Sequence, residues 1–239
     1  MSLCNQYSPD TIDRIWLDLD DTLWDFKANS LQSLSELYDV YGLERYYQSV
    51  DHWRNAYLKL NHQLWDLYGH GHITKDTLMH DRFYKPLNEA GVPDSEQLWE
   101  IFSNEYLDRL ARQTKLVDGA RQLLNHIHRQ GYATGMLSNG FKEVQFRKLN
   151  NSGLTNDIDI VILSDDIGIN KPDKRLFDHA LSVVGERPER SLLIGDNPDT
   201  DICGALNAGW HAIFFDRENH GDIDNCMRVT SLLDIIKII

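Results

Sequence analysis

The chain has 239 residues, of which 41% are hydrophobic and 26% are charged, a composition typical of a globular protein. Its formal net charge of −13 argues against nucleic acid polymers and anionic membranes as partners, because an acidic surface repels both. No segment approaches the roughly 20 consecutive apolar residues that a membrane-spanning helix needs. A site for a phosphorylated small molecule would have to supply its own positive charge, from a metal ion or a placed lysine.

The amino-terminal residues 1–13 are polar and lack the basic start and apolar run of a secretory signal. The three cysteines, Cys4, Cys203 and Cys226, are too few and too scattered for a disulfide framework or a zinc site. They fit a reducing compartment, so we expect a cytoplasmic protein. The sequence makes no prediction of the oligomeric state.

Five short apolar runs alternate with helical patterns, which predicts a parallel sheet covered by helices on both faces. The predicted strands are residues 14–18, 132–137, 158–163, 191–194 and 211–215. Three of the helical patterns end at a glycine, as expected of left-handed helix C-caps: Gly131, Gly185 and Gly209. The predicted fold class is α/β, with a Rossmann-like doubly wound parallel sheet.

Residues 25–113 differ from the rest because they contain four helical patterns and no convincing strand. The apolar stripes are Leu31, Leu34, Leu37 and Tyr41; Val50, Trp53, Tyr57, Leu60, Leu64 and Leu67; Leu78, Phe83 and Leu87; and Leu98, Ile101, Phe102 and Leu110. Asp94 and Gln97 resemble a capping box before the fourth helix. We therefore predict an α/β core domain of residues 1–23 and 114–239, with an inserted all-helical domain of residues 24–113.

The residues that follow each predicted strand are the candidate site, because open parallel sheets bind ligands at the carboxyl ends of their strands. Asp18 and Asp20 follow the first strand, and their spacing puts both carboxylates on one side of an extended chain. They can share a hard cation or divide the work of nucleophile and acid/base. The alternative is an acidic turn whose aspartates cap the next helix.

A hydroxyl, an amide and a flexible backbone N–H follow the second strand, at Ser138, Asn139 and Gly140. At a helix start they would form a phosphate cradle, and the alternative is a plain helix cap with a turn glycine. Beyond the third strand, Pro172 is expected to start a helix and to hold Lys171 at the loop. Lysine is a compact charge suited to a phosphate oxygen or a carboxylate, although most loop lysines are simply solvated.

The fourth strand leads into Gly195, Asp196 and further acids that include Asp199 and Asp201. Capping of the next helix by Asp199 is one explanation for them. Acids at this strand end, beside the acidic end of the first strand, would repel one another unless a cation lay between them. The sequence therefore predicts a cation site, which with Lys171 would supply the positive charge that the composition requires.

With these four groups in this order, the chain resembles the haloacid-dehalogenase-like (HAD) hydrolase superfamily, whose members are mostly phosphatases. Residues 18–23 match its first motif, Ser138 its second, Lys171 its third, and residues 195–196 with Asp201 its fourth. The resemblance covers the α/β core essentially from end to end. The helical block lies where this superfamily inserts a helical cap.

The resemblance implies a covalent mechanism and a cofactor. Asp18 would attack phosphorus in line and form an aspartyl-phosphate, while Asp20 would protonate the leaving alcohol and then activate water. The implied cofactor is Mg²⁺, held by the Asp18 carboxylate, the Asp20 backbone carbonyl and Asp196. Positioning and charge neutralisation would do most of the catalytic work.

The resemblance also implies how the phosphate is held. Ser138 and Lys171 would act in catalysis by binding the transferring phosphoryl oxygens, together with the amide of Asn139. Asp201 would orient a metal-bound water or Lys171, and Thr22 would support the site without touching the substrate.

Within the superfamily, residues 17–26, 138–141, 168–177 and 180–181 most resemble the bacterial pyrimidine 5′-nucleotidase branch. Members of that branch hydrolyse nucleoside monophosphates, including non-canonical pyrimidine ones. The resemblance thus implies a Mg²⁺-dependent phosphatase for small phosphate esters, with a nucleoside 5′-monophosphate as the expected substrate.

Three other functions remain open at this point. A phosphosugar phosphatase or mutase would use the same core residues and differ only in the cap. A 2-haloacid dehalogenase shares the fold and the nucleophile but uses no metal and has another residue where Asp20 stands. A non-catalytic binding protein on this fold would be expected to have lost one of the charged groups, and none is missing here.

Aromatic residues in and near the helical block are candidates for substrate contact. Trp24 and Phe26 closely follow the nucleophile and are candidates to stack on a base, whereas Trp65 and Tyr68 are expected to be core or interface aromatics. Four histidines also crowd one part of this block, namely His62, His70, His72 and His80. Their spacing does not match a zinc site, so we expect exposed or capping side chains.

Overall fold

The structure is a computed structural model that describes residues 7–8, 10–219, 221–224 and 226–239. Cys4 lies outside these residues. The chain folds into two compact units, one formed by the chain up to Phe26 together with Thr114–Ile239 and the other by Lys27–Gln113. The first boundary follows Phe26, whereas the sequence pattern put it after Leu23.

The first unit, which we call the α/β unit, contains a six-stranded sheet in which all pairings are parallel. Its strands are β1 (Arg14–Leu17), β2 (Ala133–Ser138), β3 (Ile160–Leu163), β4 (Ser191–Gly195), β5 (His211–Phe215) and β6 (Met227–Val229). Their order across the sheet is β3-β2-β1-β4-β5-β6, with β1 and β4 in the middle. This order confirms the predicted Rossmann-like α/β fold. Strand β6 was not predicted.

The second unit, which we call the helical unit, contains no strand among its residues, all of which the structure describes. The four helices of this part of the chain are α1 (Phe26–Tyr41), α2 (Val50–Gly69), α3 (Lys75–Glu89) and α4 (Ser95–Arg112), with a short 3-10 turn at Leu43–Arg45. Buried aromatic rings form much of its core, namely Tyr47, Trp53, Tyr57, Phe83, Phe102 and Tyr106. None of the described helices in the chain is long and apolar enough to cross a membrane.

The helical patterns predicted these four helices well, with two kinds of error. Leu67 and Ile101, assigned to apolar stripes, are 37% and 46% exposed. The capping box before α4 is also wrong, because Asp94 has a left-handed backbone with φ 57° and its side chain makes no cap bond. An N-cap side chain reaches the first turn from an extended backbone, which Asp94 does not adopt.

The remaining helices all belong to the α/β unit. They are α5 (Ala120–Gln130), α6 (Lys142–Asn151), α7 (Ser164–Ile167), α8 (Lys174–Val184), α9 (Gly204–Asn207) and α10 (Leu232–Ile235). A π-helical stretch, Pro198–Cys203, leads into α9, so the helical pattern that ends at Gly209 is not one continuous α-helix. Helix α8 begins after its N-cap Asp173, so Pro172 does not start it as predicted.

The centre of the sheet is fully buried, as expected for a parallel sheet covered on both faces. Ile15, Trp16 and Leu17 of β1 are all 0% exposed. Trp16 pairs in register with Gly135 of β2, where a Cβ would overlap the indole ring. The glycine in β2 therefore makes room for the tryptophan, and this packing fixes β1 and β2 side by side.

Candidate active site

The sheet register brings the ends of three strands together at one edge. Leu17, the last residue of β1, lies beside Met136 of β2 and Ile194 of β4. The backbone N–H of Asp18 continues this pairing and donates to Ile194 O at 3.0 Å. The groups that follow these strands in sequence are therefore neighbours in space, as the fold class predicts.

Lys171 joins two of the predicted carboxylates. Its ammonium lies 2.6 Å from Asp18 Oδ1 and 2.6 Å from Asp201 Oδ1, and it donates to Leu137 O at 2.8 Å. The residue is 2% exposed, so the alternative of a solvated loop lysine is wrong. Burial opposes the charged ammonium, but the Asp18 and Asp201 carboxylates outweigh it and raise the pKa of Lys171 above its usual value.

Three carboxylates gather at this edge of the sheet. One oxygen each from Asp18, Asp196 and Asp201 lies within 4.8 Å of the others. Asp196 also accepts a hydrogen bond from Thr22 Oγ1 at 3.0 Å. Burial, followed by the charges of Asp201 and Asp18, raises the pKa of Asp196 well above its usual value. Burial likewise raises the pKa of Asp18, and Lys171 opposes that rise.

Lys171 contacts Asp18 and Asp201, so the three acids at this edge of the sheet carry an excess of negative charge. Such a group of carboxylate oxygens can bind a hard metal ion, which would offset the repulsion among them. The donor set therefore fits the cation that the sequence predicts. The carboxylates that meet at this point are those of Asp18, Asp196 and Asp201, while the side chain of Asp20 has other partners.

Gly195 is needed at the end of β4 for steric reasons. A Cβ at this position would overlap the Asp201 side chain, whose Oδ2 accepts from the backbone N–H of Asn197 at 3.1 Å. The Asn197 side chain caps the helical stretch that follows, because its Oδ1 accepts from the N–H groups of Asp199 at 3.0 Å and Thr200 at 2.9 Å. Capping by Asp199 is thus wrong.

The end of β2, at Ser138, leads into a tight loop before α6. The Ser138 hydroxyl accepts from the Gly140 N–H at 3.3 Å, and α6 has Phe141 as its N-cap, so Ser138 does not cap that helix. Asn139 exchanges two hydrogen bonds with the backbone of Lys171: its Oδ1 accepts at 2.8 Å and its Nδ2 donates at 3.0 Å. This pair fixes the Lys171 loop to the end of β2.

Asp20 lies among donors that the sequence analysis missed. The Lys148 ammonium donates to Asp20 Oδ1 at 2.7 Å and to Oδ2 at 2.9 Å. Gln145 Nε2 donates to Asp20 Oδ2 at 3.0 Å and to Ser138 Oγ at 2.8 Å. The alternative that Asp20 merely caps a helix is therefore wrong. One pattern could have revealed both donors: they lie with Val144 on the inward stripe of α6, where apolar residues are expected.

Trp24 does not have the predicted role of stacking on a base. It is 0% exposed, and its indole Nε1 donates to Ser152 Oγ at 3.1 Å. The chain turns back after Leu19, whose carbonyl accepts from the N–H groups of Leu23 and Trp24, and this turn carries the indole inward.

The other predicted aromatic and histidine candidates lie in different surroundings. Phe26 is half-buried, with the Lys148 ammonium 5.5 Å from its ring centre. Trp65 and Tyr68 are half-buried and contact each other edge to face at 5.7 Å. Among the described residues, the histidines form no metal-binding cluster, and His80 pairs with Asp81 at 2.8 Å.

Comparison with known proteins shows what the chain is similar to. The family model described as haloacid dehalogenase-like hydrolase matches residues 12–209. Pyrimidine 5′-nucleotidase YjjG of Escherichia coli is 32% identical over 82% of this chain and 83% of its own length. Pyrimidine 5′-nucleotidase PynA of Streptococcus pneumoniae is 28% identical over 92% of this chain and 91% of its own.

Solved structures extend the similarity to the fold. The HAD-hydrolase YfnB from Bacillus subtilis has a TM-score of 0.82 at 24% identity, covering 94% of this chain and 97% of its own. The L-2-haloacid dehalogenase from Xanthobacter autotrophicus has a TM-score of 0.69 at 18% identity, covering 95% and 97%. At these identities the structures show that the fold is shared.

Proposed function

Because the chain belongs to the haloacid dehalogenase-like hydrolase family and is a phosphohydrolase, we propose that it cleaves small phosphate monoesters with Mg²⁺ through an aspartyl-phosphate on Asp18. The observation that carries this proposal is the buried contact of Lys171 with Asp18 and Asp201 beside Asp196. It provides a nucleophile, a cation for phosphate and a set of metal ligands at one point.

Asp18, Asp196 and the backbone carbonyl of Asp20 would hold the Mg²⁺, which supplies charge neutralisation for the phosphoryl group when it is bound. A carboxylate oxygen of Asp18 attacks phosphorus, the bond from phosphorus to the ester oxygen breaks, and Asp20 gives its proton to the departing alcohol. Asp20 then takes a proton from water as that water attacks phosphorus, and the bond to Asp18 breaks to release phosphate.

The remaining site residues hold and neutralise the transferring group. Lys171, 2.6 Å from Asp18 Oδ1, is placed to balance the charge of phosphoryl oxygens as they reach the nucleophile. The Ser138 hydroxyl and the backbone N–H of Asn139 would donate to the same oxygens. Asp201 positions Lys171, and Thr22 orients Asp196 through its 3.0 Å hydrogen bond.

As substrate we propose a nucleoside 5′-monophosphate with a pyrimidine base. Two relatives named pyrimidine 5′-nucleotidase support this choice, since their similarity extends over most of both chains. Phosphoserine phosphatase of Thermus thermophilus is 38% identical but over only 56% of this chain, which makes it the weaker guide. We further propose that the helical unit acts as the cap domain of this family and that the enzyme works in the cytoplasm.

The test is a panel of phosphate esters assayed with Mg²⁺ and with EDTA. We expect phosphate release only with the metal, and the highest kcat/KM for pyrimidine nucleoside 5′-monophosphates among nucleotides, sugar phosphates and phosphoserine. Equal rates across the panel would remove the nucleotide assignment and leave the phosphatase. Release of halide from a 2-haloacid without metal would contradict the proposed chemistry altogether.

A further inference from the structure

Helix α6 buries a positive charge outside the Lys171 cluster. The Lys148 side chain is 3% exposed, and its ammonium contacts both oxygens of Asp20, at 2.7 and 2.9 Å. Burying an ammonium ion is costly, and an apolar residue on this inward stripe would cost less. Stability alone therefore does not explain a lysine at this position.

Two aromatic rings flank this ammonium. Its nitrogen lies 4.5 Å from the centre of the Trp24 ring and 5.5 Å from that of Phe26. Cation–π contacts stabilise the charge without using an acceptor, so the N–H groups stay available for a carboxylate. The turn that carries Trp24 inward also holds Asp20, which bridges to Trp24 through the backbone. The ammonium and its carboxylate are thus fixed by the same segment.

Gln145 adds a second donor from the same face of α6. Its Nε2 reaches Asp20 Oδ2 at 3.0 Å and Ser138 Oγ at 2.8 Å. Gly140 makes this possible, because a Cβ at that position would overlap the Gln145 side-chain amide. The glycine after β2 thus leaves room for a side chain that links two of the predicted catalytic groups.

We propose that Lys148, assisted by Gln145, is a positioning residue that fixes the carboxylate of Asp20 for both of its proton transfers. The inference rests on the proposed function, in which Asp20 gives a proton to the leaving alcohol and later takes one from water. Three hydrogen bonds to two oxygens hold the plane of the carboxylate, as accurate general acid–base catalysis requires. Lys148 does not touch the phosphoryl group in this scheme.

The decisive variant is Lys148→Met, which keeps the apolar stem and removes the donor. We compare kcat/KM for phenyl phosphate, whose leaving group needs a proton, with kcat/KM for 4-nitrophenyl phosphate, whose leaving group departs as a stable anion. The expected losses are about 10²- to 10³-fold for phenyl phosphate and less than about 10-fold for 4-nitrophenyl phosphate. Lys142→Met, on the same helix but paired with Asp166, is the matched control and should match wild type on both substrates.

A second readout addresses the water step. If Asp20 is misplaced, the aspartyl-phosphate should break down slowly, so Lys148→Met should release 4-nitrophenol in a burst of about one equivalent per enzyme. If Lys148→Met does not fold, as judged by its thermal melt, Gln145→Met decides the question, because the same selective loss on phenyl phosphate is expected in smaller measure.

Two results would overturn the inference in different ways. Equal losses on the two substrates, without a burst, in a folded variant would mean that Lys148 is merely structural and would leave the phosphatase intact. Failure of wild type to cleave either ester with Mg²⁺ would refute the proposed function, and the role of Lys148 with it.

Discussion

The site has two halves, one around Asp18 and one around Asp20, and the two aspartates lie in opposite electrostatic surroundings. Asp18 lies beside two other acids, Asp196 and Asp201, and Lys171 contacts Asp18 and Asp201. Asp20 has two donors, Lys148 and Gln145, and its side chain is 29% exposed. The first half therefore has an excess of negative charge, whereas the second is balanced by its own residues.

This difference fits the different roles proposed for these two carboxylates. The excess of negative charge around Asp18 suits the proposed nucleophilic attack on a phosphoryl group beside a metal ion. In the proposed mechanism Asp20 offers the metal only its backbone carbonyl. Its carboxylate can therefore serve in proton exchange with substrate and water. A change in one half should therefore leave the other half unaffected.

The largest effect is expected for Asp18→Asn. Loss of the nucleophile should lower kcat by about four to six orders of magnitude, because the residual rate then comes from binding and charge stabilisation alone. Activity is measured as Mg²⁺-dependent phosphate release. Asp13→Asn, at the other end of β1 and paired with Arg190, is the control and should stay active. An active Asp18→Asn enzyme would refute the nucleophile assignment.

Removal of the metal should abolish turnover, and this effect should depend on the half around Asp18 alone. EDTA should abolish turnover, and added Mg²⁺ should restore it. Mg²⁺ at a hundredfold excess over its Kd should also stabilise the fold by about 2.7 kcal/mol, seen as a rise in the melting temperature. Asp196→Asn should lose most of that rise, while Lys148→Met should keep it. A metal response that depends on Lys148 instead would break the division into two halves.

Substitution of two glycines by alanine should perturb the two halves of the site one at a time. Gly195→Ala pushes against Asp201 and should raise the Mg²⁺ concentration needed for half-maximal activity, roughly 10- to 100-fold. Gly140→Ala pushes against Gln145 and should slow phenyl phosphate more than 4-nitrophenyl phosphate, with an unchanged Mg²⁺ requirement. If both variants shift the same parameter, the two halves are not separable.

The smallest expected effect concerns Trp24, whose ring centre lies 4.5 Å from the Lys148 ammonium. Trp24→Phe removes the indole hydrogen bond to Ser152 and part of a buried ring, which should cost about 1–2 kcal/mol in the free energy of unfolding measured with urea. Trp65→Phe, at a half-buried position of the helical unit, is the control and should change stability by less than about 1 kcal/mol. A larger loss for Trp65→Phe would contradict this ranking.

The residues at strand ends were predictable from sequence because sheet topology alone brings them together. Asp18 and Asp196 directly follow buried strands, Ser138 ends one, and Lys171 lies in the loop between α7 and α8. The position of Lys148 could not be predicted in the same way, since a lysine within a helix has no fixed partner until that helix packs. The buried position of Lys148 is indicated only by its neighbours on the inward stripe of α6, such as Val144 and Leu149.

Other errors have equally local causes. Strand β6, Met227–Val229, spans only three residues, too few to show a pattern. Trp24 is a candidate for substrate contact because it is close in sequence to Asp18, but the turn closed by hydrogen bonds to the Leu19 carbonyl carries it into the core. Asp94 matched a capping box by residue type, while its backbone conformation, which residue type does not determine, excludes the cap.

The most direct test of the central claim is to look for the covalent intermediate itself. Wild-type enzyme turning over a phosphate monoester with Mg²⁺ is quenched in acid within milliseconds, digested and analysed by mass spectrometry. One added phosphoryl group is expected on the peptide that carries Asp18, absent with EDTA and absent in Asp18→Asn. A phosphoryl group on another residue, or steady turnover with no trace of one on Asp18, would contradict it.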